Sequence, residues 1–473
     1  MQTVTIEPIT RIEGHAKITL LLDDSGAVEH AKFHITQLRG FEKFCEGRPF
    51  TEMPALTART CGICPVSHLL ASSKACDDLM AVQIPVSAVR LRRIINLAQL
   101  LQSHALSFFH LSSPDLLLGW ECDPKTRNVF GLMREHPQLA RDGIRLRQIG
   151  QSIIELLGNK RVHPTWIVPG GVQSPMSVEV RSTIRELLPE ALEIAQRTFR
   201  LYRGMVKRFN GEADYFGDIP TMYMGLVDAK GNLEHYDGLI RIKDADGNII
   251  ESGVRAEEYA EVIAEAVEGH SFVKSPYYKP MGYPHGLYRV GPLARLNIID
   301  RCGTPIADEA LEEFRALSPK KPVSSSFHYH FARLVEILFA IERLEQLTGN
   351  DNILDKKVRA EARANKNRGI GVTEAPRGTL IHDYQIDDDG RITSVNLIVA
   401  TGHNHLAMNR SVLQIAKHYV KGPDVTEPML NRVEAVIRCY DPCLSCASHE
   451  IGRMPLDVRI VNRQGQELSR YTR

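Results

Sequence analysis

Apolar residues recur at helical spacing from Val86 to Leu111, through Val89, Ile94, Ile95, Leu97, Leu100, Leu101, Ala105, Phe108 and Phe109. The pattern predicts a long core helix. A second long helix is expected from the serines at 324–326, which can cap it, to about Thr348. Helical spacing also marks the segment after Cys64, pieces of 124–160, Glu179 to Phe209 with a break at Pro189, and Ala256 to Gly269. Period-two alternation around turn residues predicts hairpins over 16–36, 239–250 and 380–399, and another between Leu456 and the C-terminal end. Pro276, Pro280, Pro284 and Pro292 mark an irregular crossing. Together these elements predict a helix-rich α+β fold with long core helices and peripheral hairpins.

At 473 residues the chain is long enough to enclose a buried site. Its 58 basic and 57 acidic residues nearly cancel, so no net field favours nucleic acid or an anionic membrane. The first residues lack a basic and apolar signal, and no run approaches eighteen apolar residues. A cytoplasmic protein is therefore expected. With nine cysteines over this length, thiols and metal ligands are expected instead of a disulfide framework.

Four of those cysteines form two Cys-x-x-Cys turns, Cys61/Cys64 and Cys443/Cys446. This spacing lets two sulfurs face one point, and two such turns make a tetrathiolate site for a soft metal. Spacing alone leaves both structural zinc and a catalytic or redox metal open. The pairs lie about 380 residues apart, much farther than in zinc fingers or ribbons, so the site would close the whole fold. Spacing would also admit Cys439 as a ligand. Cys45 reads as a packed thiol, and the pairs His328/His330 and His403/His405 read as structural.

Together with Arg11-Ile-Glu-Gly-His15 and Glu374-Ala-Pro-Arg-Gly378, the cysteine motifs resemble the large subunit of nickel-iron hydrogenases over nearly the whole chain. Arg39-Gly-Phe-Glu-Lys-Phe-Cys-Glu-Gly-Arg48 and the stretch from Ser103 to Asp115 are most similar to the cytoplasmic branch that works with a pyridine-nucleotide reductase. The resemblance implies reversible oxidation of dihydrogen at nickel and an iron carrying carbon monoxide and cyanide. Cys64 and Cys446 would bridge the two metals, and Cys61 and Cys443 would bind nickel only. It makes Glu13 a proton gate beside Cys443, Arg377 a guanidinium over the open metal position with Pro376 lining the pocket, and Asp441 the partner of Arg377. Asp115 would help position that arginine, His68 would donate to a thiolate, and Glu42 with His449 would hold a magnesium or similar hard ion. Without the resemblance, Glu13, Glu42 and Arg377 read as ordinary paired or solvated charges.

The remaining cysteines form no iron-sulfur ligand run, and no Gly-x-Gly-x-x-Gly loop is present. The resemblance therefore implies a small subunit with iron-sulfur clusters and a diaphorase with flavin and NAD(P). It also implies nickel-insertion machinery and a maturation endopeptidase that cuts after His449, removing 450–473 from a catalytic body of 1–449. That body divides at 1–80, 81–370 and 371–449. Rival readings are a hydrogenase serving a deazaflavin or ferredoxin partner, a structural tetrathiolate zinc protein, and the related quinone-module subunit of respiratory Complex I.

Overall fold

The computed structural model describes residues 2–421, 425–448, 457–461 and 467–472, the last two segments as backbone. His449 lies outside the described residues. Helix α1 (Pro65–Met80) follows the first cysteine turn, and α2 (Val86–Ala105), α3 (Pro137–Gly158), α4 (Val178–Val206) and α5 (Tyr329–Thr348) build the helical body. Helices α6 (His405–Tyr419) and α7 (Glu427–Tyr440) lead to the second cysteine turn. α2 packs on α3 and α5, and α5 packs on α4. The α2–α3 crossing is close because Gly150 has no side chain: a Cβ there would lie 2.8 Å from the Gln102 Cβ.

The expected core helix from Val86 is present, but its end at Leu106–Ser112 widens into a π-helical stretch. α4 runs through Pro189 without a break. Its apolar stripe, including Ile184, Leu188, Ala191 and Ile194, is buried on both sides of the proline, and that continuous packing outweighs one missing N–H.

The hairpins form small separate sheets. Strands β1 (Gln2–Ile6), β2 (Ala16–Leu22) and β3 (Val28–Ile35) are antiparallel. Strands β4 (Met222–Val227), β5 (Leu239–Lys243) and β6 (Ile249–Val254) form a sheet whose other edge is a short parallel strand, Tyr288–Arg289. The helix expected over 256–269 is instead one turn at Tyr259–Val262, followed by β7 (Ile263–Val267), which pairs with β8 (Lys274–Tyr278). β-branched Ile263 and Val267 suit a strand, and the pairing with β8 satisfies their backbone.

The sheet of β9 (Arg368–Ala375), β10 (Gly378–Ile386) and β11 (Ile392–Ile398) includes the expected 380–399 hairpin and adds one strand before it. β9 lies directly on α1: a Cβ at Gly371 would fall 1.9 Å from the Ala71 carbonyl oxygen. This contact brings the Glu374–Gly378 turn beside Cys64. The hairpin expected after Leu456 is present as Asp457–Val461 paired with Glu467–Thr472.

Candidate metal centre

Cys61 and Cys64 lie on the loop entering α1, where the N–H groups of Ile63 and Cys64 donate to Cys61 Sγ at 3.2 and 3.1 Å. Gln99 and Gln102 of α2 hold this loop by donating to the Ile63 carbonyl. Cys443 follows α7 after a turn made possible by Asp441 in the left-handed conformation, and Cys446 sits on the one-turn helix Leu444–Ala447.

The four sulfurs converge. Cys61 and Cys64 are 3.0 Å apart, Cys443 and Cys446 2.9 Å, Cys61 and Cys443 3.3 Å, and Cys64 and Cys446 3.6 Å. All four residues are buried. Such a cluster holds few negative charges without a cation. Hydrogen bonds from Cys443, Cys446 and Cys61, with a further one from His68, hold the Cys64 thiol well below its ordinary pKa. The shared protons, that of Cys446 first, push Cys443 well above its own, and burial foremost does the same to Cys446. The donor set fits soft or borderline divalent metals. Cys439 stands apart, with its sulfur 3.4 Å from His330 Nε2, and burial pushes the Cys45 thiol up to about 12.

Arg377 reaches the cluster from the β9–β10 turn. Its Nε donates to the Asp441 carbonyl at 2.5 Å, Nη2 lies 3.2 Å from Asp441 Oδ1, and Nη1 is 3.4 Å from Ser103 Oγ. Burial works against its charge, but Asp441, Cys443, Cys64 and Cys61 outweigh that and hold its pKa well above the usual value. A cavity with room for about one water-sized molecule is lined by Cys64, Cys443, Cys446, Arg377, Leu380 and Val399.

Arg295, unforeseen from sequence, fixes the turn that carries Arg377. It pairs with Glu336 at 2.6 Å and Glu374 at 2.7 Å while donating to the carbonyls of Ala375 and Pro376 at 3.0 Å. Ala375 and Arg377, on either side of Pro376, line the cavity, and Pro376 itself does not.

Asp115 is not the anchor of Arg377. It pairs with Arg11 at 2.5 Å and Arg438 at 2.8 Å, and accepts from Asn431. Burial would raise its pKa, but Arg438 and Arg11 more than reverse that and hold it below the usual carboxylate value. This network ties the segment bearing Glu13 to α7: Arg438 also donates to the Thr10 carbonyl at 3.0 Å. Glu13 is half-buried. Its carbonyl accepts from Leu444 N and its Oε2 from Ser445 N, which places it against the second cysteine turn.

His68 lies on α1 against Cys64. Its Nδ1 is 3.2 Å from His382 Nε2, His382 Nδ1 is 2.6 Å from the Tyr384 hydroxyl, and that hydroxyl is 2.8 Å from Ser72 Oγ. The alternation of β10 puts His382 and Tyr384 on one face, the only sequence signal that links them.

Glu42 is buried, and its Oε1 accepts from Lys274 Nζ at 3.0 Å and Leu397 N at 2.8 Å. Lys274 also pairs with Glu265 and Asn396. Glu42 and Glu265 share the one Lys274 ammonium, so the pocket keeps a net negative charge, and Glu42 Oε2 is the oxygen outside the bonds to Lys274 and Leu397.

Residues 39–119 and 236–449 match the family described as "Nickel-dependent hydrogenase", and residues 3–38 match one described as "HoxL-like". The chain is 38% identical to the beta subunit of the NAD-reducing hydrogenase HoxS from Cupriavidus necator and 41% identical to a component of the F420-non-reducing hydrogenase vhc from Methanococcus voltae, covering 99% of both chains in each comparison. A solved NAD+-reducing [NiFe]-hydrogenase in the H2-reduced state superposes with a TM-score of 0.93 at 44% identity, over 95% of this chain and 100% of that one. The Ni-Fe-Se hydrogenase of D. vulgaris Hildenborough shares the fold, with a TM-score of 0.75.

Proposed function

The chain belongs to the nickel-dependent hydrogenase family as the catalytic large subunit of a nickel-iron enzyme, and from that premise we propose how its residues divide the reaction. Nickel and an iron carrying carbon monoxide and cyanide, held by Cys61, Cys64, Cys443 and Cys446, supply heterolytic cleavage of dihydrogen when bound. The observation that carries this reading is the convergence of four buried sulfurs beneath a buried arginine. By the resemblance, Cys61, Cys64, Cys443 and Cys446 would all hold nickel, and Cys64 and Cys446 would also hold the iron.

Cys443 accepts the proton, since a thiolate is both ligand and base. Glu13, fastened to the residues after Cys443, passes it outward. Arg377 keeps a fixed cationic donor at the cavity in a dry surrounding where that charge counts most, and Asp441 orients it. His68 donates to Cys64. Glu42 would offer a hard ion only its Oε2, with His449 as the second ligand. A maturation endopeptidase cutting after His449 would separate 450–473 from the catalytic body once nickel-insertion machinery has acted.

Electrons leave through a small subunit with iron-sulfur clusters and then a flavin-containing NAD(P) reductase, in a cytoplasmic complex. Among the described residues no helix is long and apolar enough to cross a membrane. The similarity to F420-non-reducing relatives favours a second reading, with a ferredoxin-type or heterodisulfide partner in place of the diaphorase.

The test is metal content and infrared absorption of the complex purified without oxygen from its native host. Nickel with carbonyl and cyanide bands supports the proposal, whereas zinc without such bands, in protein cut after His449, refutes it. Dihydrogen evolution driven by NADH or NADPH then separates the two partner readings.

A further inference from the structure

Glu268 and His270 lie in the connection from β7 to β8, and His405 begins α6. Glu268 Oε2 stands 3.2 Å from His270 Nε2 and 3.7 Å from His405 Nδ1. One ligand atom from each residue falls within 4.8 Å of the others. Glu268 and His405 are buried, and His270 is partly exposed. His270 Nε2 is itself a buried atom without a hydrogen-bond partner, despite the carboxylate beside it.

The outer atoms of the cluster are already engaged. The Tyr283 hydroxyl donates to Glu268 Oε1 at 2.9 Å, and His405 Nε2 faces the Phe33 carbonyl at 3.3 Å. The Asn409 amide nitrogen, 3.4 Å from the same ring nitrogen, donates to the His405 carbonyl at 3.2 Å; with Nε2–H given to the Phe33 carbonyl, the neutral ring presents its lone pair at Nδ1. Ser275 Oγ is 2.8 Å from that nitrogen. This is the outer arrangement that orients metal-binding imidazoles and carboxylates. Burial holds both rings below their ordinary pKa, and among the described residues no lysine or arginine pairs with Glu268. A carboxylate oxygen and two imidazole nitrogens therefore converge, with no lysine or arginine beside them among the described residues.

We propose that Glu268, His270 and His405 form a second metal site, distinct from the cysteine cluster, which binds a divalent ion of the zinc class. Two imidazoles and one carboxylate suit zinc, with Ser275 or water able to complete a tetrahedron. Calcium and magnesium prefer all-oxygen sets. The ion would pin the β7–β8 turn to the start of α6. His403 is not among the converging residues, and its Nδ1 is bonded to the Tyr288 hydroxyl at 2.6 Å.

The experiment uses the purified complex, treated with a mild chelator and then supplied with zinc ions. Elemental analysis should find one zinc per large subunit, lost in His270→Ala and in Glu268→Gln while nickel content stays unchanged. Zinc-edge X-ray absorption should show only nitrogen and oxygen neighbours at about 2.0–2.2 Å. No retained zinc in the wild type, full retention in both variants, or sulfur neighbours would overturn the proposal. Should either variant lose nickel through misfolding, an anomalous map of wild-type crystals at the zinc edge decides: a peak between Glu268 and His270 supports the site, and its absence removes it.

Discussion

The Glu13 carboxylate oxygen Oε2 accepts the backbone N–H of Ser445 at 3.0 Å, two residues beyond Cys443. The carboxylate is thus fixed to the same turn as Cys443, as the proposed proton transfer between them requires. The neighbouring Thr10 and Arg11 are tied to Arg438 and Asp115, so the whole segment is held against that turn.

Glu13→Gln keeps an oxygen for the Ser445 N–H but cannot carry a proton away. Exchange between dihydrogen and solvent deuterium should fall by about 10²–10⁴-fold, the usual contribution of a positioned acid–base group. Nickel content and infrared bands should stay as in the wild type. Exchange at the wild-type rate would remove Glu13 from the path.

Arg377→Lys retains a positive charge but loses the planar fork that spans Asp441 and Ser103. Turnover should drop by about 10²-fold, comparable to losing one preorganised donor. Measuring oxidation of dihydrogen at saturating gas on nickel-replete protein checks this. Near-normal turnover would show that charge alone suffices.

Tyr384→Phe removes the hydroxyl that bridges His382 and Ser72. His382 then loses the partner that fixes its tautomer, and His68 loses its fixed orientation toward Cys64. On the proposed assignment the carbonyl and cyanide stretches of the metal-loaded enzyme should shift, since a hydrogen bond to a metal-bound sulfur alters its electron donation. Unmoved bands would confine the chain to a packing role.

Asp115 pairs with Arg11 and Arg438 in a buried network, and its folded pKa lies below the usual carboxylate value. The stabilisation is therefore present above the unfolded pKa, about 4, and is lost as pH falls through the folded value. Asp115→Asn should cost about 3–5 kcal/mol at neutral pH, as expected when one partner of a buried pair is removed. It should also flatten the loss of stability on acidification. Chemical denaturation at several pH values measures both effects.

The cysteine turns and the hairpins were legible because their spacing and alternation are local. Asp115 was not, because its partners Arg11 and Arg438 come from opposite ends of the chain. Nor was the Lys274 ammonium at Glu42, which arrives from the strand β8 that sequence placed in an irregular crossing. The helix expected at 256–269 failed because tertiary pairing overrode a helical apolar pattern that short segments readily imitate. The two His-x-His pairs show the same limit: His403 and His405 share a spacing, yet one bonds Tyr288 and the other faces Glu268 and His270.

Cys61 and Cys443 approach to 3.3 Å across a separation of 382 positions, which sets an order of events during synthesis. At roughly 5–20 residues per second, the second half of the metal-binding pocket leaves the ribosome on the order of 20–80 s after the first. During that interval Cys61 and Cys64 are only half of the ligand set. A site that needs all four sulfurs therefore cannot be filled until translation is nearly finished, so loading follows synthesis of the chain.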